Sequence, residues 1–80
     1  MYQAIQTIFI GPTNFRPKRI KAKANAGSLI VPWTEGLNVW ENHAKARHML
    51  CEKLDWPTVY WHMGGYGEGY LHVLEVPRSI

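Results

Sequence analysis

The chain has one cysteine, no acidic residue before position 35 and no long apolar run. Each shortage excludes something. Cys51 alone cannot close an internal disulfide or build a CxxC zinc site, so the usual staples of small domains are missing. A membrane span needs about 18–20 consecutive apolar residues, and no segment approaches that length. The opening stretch Met1-Tyr2-Gln3-Ala4-Ile5-Gln6 lacks the charged segment and cleavage site of a secretory signal, which predicts a soluble, intracellular protein. What is present suits a folded chain: 80 residues, 46% hydrophobic and 19% charged, with 4 Trp, 4 Tyr and 2 Phe. Such a chain is too apolar for intrinsic disorder and too short for two cores. A single domain over residues 1–80 is expected, burying roughly 60–65% of the surface its unfolded form exposes.

The net charge of +3 is unevenly spread. Arg16, Lys18, Arg19, Lys21 and Lys23 give residues 1–34 a charge of +5, whereas residues 35–80 sum to −2. Five of the nine cations therefore fall within eight residues, a local field suited to phosphates or to an acidic protein surface. A plainer reading is an edge strand that carries Lys and Arg to avoid pairing with other chains.

Period-two patterning predicts several strands. Tyr2 to Ile10 is rich in β-branched and aromatic residues and stops at Gly11-Pro12; Ile5, Thr7 and Phe9 share one face, and Ala4, Gln6, Ile8 and Ile10 the other. Pro12, Asn14 and Pro17 mark a loop that carries Phe15. From Lys18 to Asn25, Lys18, Ile20, Ala22 and Ala24 alternate with Arg19, Lys21, Lys23 and Asn25, so one face is almost wholly basic. Ala26-Gly27-Ser28 reads as a turn and Leu29 to Trp33 as a buried returning strand. Asn38 to Leu54 is the one helical pattern, with Asn38 as N-cap, Glu41 completing a capping box, and an apolar stripe through Trp40, His43 or Ala44, Arg47, Leu50, Cys51 and Leu54. Asp55-Trp56-Pro57 ends it. Thr58 to Met63 and Tyr70 to Val76 flank Gly64-Gly65-Tyr66-Gly67-Glu68-Gly69 as a hairpin with a glycine-rich tip. Three strands, a helix and two strands predict an α+β domain: a mostly antiparallel sheet of about five strands with one helix packed on one face.

Catalytic constellations are sparse. Cys51 with His43 or His48 is the only Cys/His set close in sequence, and Cys51 sits in the apolar stripe, where a thiol is inert. His62 and His72 would face each other in a hairpin centred on Gly67 and, with Glu68 or Glu75, could offer metal ligands; two ordinary strand histidines are the simpler reading. The glycine tip lacks the GxGxxG spacing and the Lys-Ser/Thr pair of phosphate loops. Its glycines suit a turn, and Tyr66 and Tyr70 offer aromatic surface to a partner. The remaining constellation is the basic patch Arg16, Lys18, Arg19, Lys21 and Lys23, able to contact phosphates while Phe15 or Trp33 stacks on bases. No helix-turn-helix, zinc finger or RNP motif supports base-specific reading. No catalytic, metal or cofactor site is expected.

Thr7-Ile8-Phe9-Ile10-Gly11-Pro12-Thr13-Asn14-Phe15-Arg16, then Arg19-Ile20-Lys21-Ala22, Glu41-Asn42-His43 and Lys53-Leu54-Asp55-Trp56, together resemble small accessory proteins of bacteriophages and integrative or conjugative elements. Those proteins usually follow the first loop arginine with glycine, where this chain has Arg16-Pro17. The resemblance implies a non-enzymatic protein in the cytoplasm of a host bacterium, among genes whose products block host defences such as CRISPR or restriction systems. A basic chain is a poor mimic of DNA. The expectation is an inhibitor that binds a protein subunit of a defence complex through its acidic C-terminal half and aromatic hairpin; the alternative is a small nucleic-acid-binding protein that uses the strand from Arg16 to Lys23. So many Trp and Tyr for so small a core make a homodimer a further expectation.

Overall fold

The computed structural model describes residues 3–56, 61–67 and 69–74. Five strands, β1 (Gln3–Ile10), β2 (Arg19–Ala24), β3 (Gly27–Pro32), β4 (Trp61–Tyr66) and β5 (Gly69–Leu74), form one antiparallel sheet in the order β3-β2-β1-β5-β4. The helix α1 (Val39–Leu54) lies between β3 and β4 in sequence and packs over β1, β2 and β3. The α+β fold read from the periodicities is the fold observed. No helix among the described residues is long and apolar enough to cross a membrane.

Alternation along each strand sorts the side chains into two layers. Ile5 and Thr7 of β1, Ile20 and Ala22 of β2, Val31 of β3 and His72 and Leu74 of β5 are buried on the helix side. They meet Ala46, Leu50 and Cys51 of α1. Alanines at 22 and 46 let the helix approach the sheet closely. Trp33, Leu54, Trp56 and Trp61 close the rim of this core, with Trp56 and Trp61 stacked at 6.4 Å between ring centroids.

Both ends of the helix are chemically specified. The Asn38 side chain accepts from the Glu41 N–H at 2.8 Å, while the Glu41 carboxylate accepts from the Asn38 N–H at 3.1 Å, the capping box foreseen from sequence. At the other end Asp55 takes the left-handed conformation (φ 57°) and its N–H bonds back to the last turn. Termination therefore occurs after Leu54, where the sequence placed it, through a left-handed cap that Asp tolerates better than most residues.

Four expectations are corrected. The strand 27–32 is an edge strand and not a buried arm, since Ile30 is 52% exposed and only Val31 of its side chains is buried. The basic strand β2 is interior, paired on both sides, so its lysines do not protect an edge. Trp40 is 56% exposed and the buried face of the helix runs instead through Asn42, His43, Ala46, Leu50 and Cys51. In the last hairpin, pairing runs through Gly64 and Gly65 to Tyr66 opposite Gly69, so the glycines belong partly to the strand and the register moves by one residue. Gly67, with φ +59°, supplies the left-handed turn that this tighter closure needs.

Candidate functional site

The face of the sheet away from the helix is uncovered by any described element, and its chemistry follows from the register. Gln6 pairs with Lys23, Ile8 with Lys21 and Ile10 with Arg19; across β2, Lys21 pairs with Ile30 and Lys23 with Ser28. Paired residues share a face, so Arg19, Lys21 and Lys23 form a row about 7 Å apart along β2, between Ile8, Ile10 and Ile30. Gln6, Leu71 and Val73 continue this face toward β5. Among the described carboxylates, Glu41 and Glu52 lie on the helix, Asp55 caps it and Glu35 lies in the preceding loop; none lies on the open face. Among the described residues the row is therefore cationic without a carboxylate beside it. The Arg19 Nε is buried and has no hydrogen-bond partner among the described residues.

The other cations of the sequence patch are held differently. Lys18 bonds Glu35 at 2.8 Å and sits over the Trp33 ring at 5.7 Å, at the helix-side end of the sheet. Arg16 is exposed in the loop 11–18, where the Thr13 Oγ1 accepts from the N–H groups of Phe15 (3.3 Å) and Arg16 (3.0 Å) and the Thr13 N–H donates to the Arg16 carbonyl. That internally bonded turn presents Phe15, which is 94% exposed. Phe15 and Tyr70, grouped in the sequence reading, are not brought together. Tyr70 packs against His43 on the helix side with ring centroids 4.5 Å apart, and Tyr66 pairs with Gly69 at the hairpin end.

His62 and His72 are not opposed. Val73 faces His62 and Met63 faces His72, so the two imidazoles belong to opposite faces and cannot share a metal ion. Glu68 and Glu75, the further ligands considered, lie outside the described residues, and no group of three metal-binding side chains occurs among those described. Cys51 is fully buried, and burial pushes its thiol pKa up, against smaller opposing effects from Arg47 and Trp61. His48 pairs with Glu52 at 2.7 Å and His43 with Thr7, so neither activates the thiol.

Beneath the helix lies a polar chain that the sequence did not reveal. The Thr7 Oγ1 stands 2.7 Å from His43 Nδ1 and 2.8 Å from His72 Nε2, and Arg47 Nη1 stands 3.5 Å from His72 Nδ1. A guanidinium only donates, which fixes every proton in the chain. Arg47 donates to His72 Nδ1; His72 Nε2–H then donates to Thr7, whose hydroxyl donates to His43 Nδ1. The proton of His43 is left on Nε2. Both imidazoles are neutral: burial, then the charge of Arg47, then His43 bring the His72 pKa down to about 3, and burial lowers that of His43. Asn42 is also buried and ties the loop before the helix, accepting from the Thr34 N–H and donating to the carbonyls of Thr34, Leu37 and Asn38. A threonine inside the apolar face of β1 and the successive Asn42-His43 on the helix were the only linear traces of this network.

Comparison with protein-family models, with curated proteins and with solved structures finds no match.

Proposed function

We propose that this protein acts by binding, and that its ligand is the phosphate backbone of a nucleic acid lying across the open face of the sheet. One observation carries the reading: Arg19, Lys21 and Lys23 form an interior row on a face that no described element covers and that has no described carboxylate. Cations on an interior strand cannot be explained by edge protection, and the isoleucines beside them offer an apolar bed for sugars or bases. Contact is made through charge and shape without base-specific reading. The test is fluorescence anisotropy with a labelled oligonucleotide, single-stranded and then annealed to its complement, across a salt series. Three phosphate contacts give a log–log salt slope of about −2 to −3, and the triple variant R19E/K21E/K23E loses binding while keeping its circular dichroism spectrum. Absence of binding to either form at low salt would sink the reading.

Phe15 favours a second reading. An aromatic side chain 94% exposed on an internally bonded turn suits an anchor for a protein pocket, in line with a phage or mobile-element inhibitor of a bacterial defence complex. Under that reading, a phage restricted by a CRISPR or restriction system forms plaques on cells expressing the wild-type chain and fails to do so with F15A. Equal plaquing with both proteins would remove Phe15 from the argument.

A further inference from the structure

A cleft of about 650 Å³ opens on the helix side of the sheet, opposite the basic row and independent of it. Phe9, Trp33, Val39 and Tyr70 supply its apolar walls, with Lys18 and His43 its polar lining. It exists for a definable reason. The helix covers β1, β2 and β3, while at the hairpin end Gly65 leaves the sheet bare beside Tyr70, with nothing within 4 Å of where its side chain would start.

The two polar groups have the same character. Lys18 brings an ammonium, and because Thr7 occupies His43 Nδ1, the imidazole's remaining polar atom is Nε2, which the chain running from Arg47 through His72 and Thr7 keeps protonated. Among the described residues the cleft thus combines aromatic walls with two donors, and the carboxylate beside them is that of Glu35, which is 77% exposed and engaged by Lys18. We propose that the cleft is a binding site for a planar aromatic carboxylate, its ring against Trp33 and Tyr70 and its oxygens received by Lys18 and the His43 Nε2–H. Such a ligand matches the site in shape and charge: stacking takes up the apolar walls, and a charge-assisted hydrogen bond is stronger than a neutral one. It competes with Glu35 for Lys18, so the native ion pair acts as a partial plug.

The probe is 2-naphthoate, titrated into ¹⁵N-labelled protein while the imidazole signals of His43 and the indole signal of Trp33 are followed. Saturable shifts at both are expected, with 2-naphthalenemethanol, which keeps the rings and lacks the carboxylate, binding about tenfold more weakly. E35Q frees Lys18 and tightens naphthoate binding about two- to fivefold. G65V, which adds a strand-compatible side chain into open space, abolishes binding without unfolding the sheet. Circular dichroism spectra and melting temperatures of both variants, expected to match wild type, separate lost binding from misfolding. No saturable shift at millimolar naphthoate, equal affinity for the alcohol, or binding unchanged by E35Q and G65V would each overturn the assignment. Shifts confined to Lys21 and Lys23 would assign the anion to the open face and overturn it equally.

Discussion

Thr7 shows how much one hydroxyl can organise. It accepts from one imidazole and donates to another inside a layer otherwise built from Ile5, Ile20 and Leu50, so its removal strands two ring nitrogens away from water. T7V keeps the shape and loses the hydroxyl; a loss of about 2–4 kcal/mol in urea denaturation is expected, with T7S restoring much of it. A T7V protein as stable as wild type would mean that the hydroxyl bonds contribute nothing. The same site governs pH dependence. His72 titrates near 3 when folded against an ordinary value of 6.5, so between those values the unfolded chain takes up a proton that the folded chain refuses. Stability from this group is complete above about pH 6.5 and falls as the pH drops toward 3; His43, shifted in the same direction, adds to it. Melting temperatures at pH 7.5, 6 and 4.5, chosen as about one step across that window, should descend in that order. A flat or rising series would contradict the neutral pair.

At the scale of elements, local chemistry and tertiary contact divide the work. The N-terminus of α1 is specified within four residues, and N38A should cost about 0.5–2 kcal/mol, read by the same denaturation, because it removes one half of the capping box and leaves a helix N–H unpaired. The C-terminal hairpin depends on something less local. A Cβ at Gly69 would collide with the Thr7 carbonyl of β1, so the pairing of β5 with the central strand requires a bare backbone there. G69A should destabilise by more than about 1 kcal/mol and shift amide signals along β1 and β5, whereas G64A, with open space around it, should stay within about 0.5 kcal/mol of wild type. Equal tolerance of both alanines would disprove the close approach. The hairpin also explains why the sequence leaves the relation of the two histidines open: a shift of one residue in register exchanges faces, and a run of glycines carries no alternation from which register can be read.

For the whole molecule, the decisive property is the segregation of charge between two layers. The positive row lies on the open sheet face, while the described acids gather around the helix and its flanking loops. Because Lys21 is only half-buried and Lys23 exposed, K21E/K23E should leave the melting temperature within a few degrees of wild type, measurable by circular dichroism, even as it reverses the field of that face. A large loss of stability would instead make the row part of the packing. Much of this arrangement was legible in the linear chain: the strand–strand–strand–helix–strand–strand order, the capping box at Asn38 and Glu41, the burial of Cys51, and the alternation that puts Arg19, Lys21 and Lys23 on one face of their strand. These depend on period, caps and composition, which act over a few residues. Tertiary structure alone decided that β2 is interior and not an edge, that Thr7, His43, His72 and Arg47 meet, and that an aromatic cleft opens beside Gly65. Each of those requires residues up to 65 positions apart to be brought together by strand order and helix placement, and no local pattern encodes that distance.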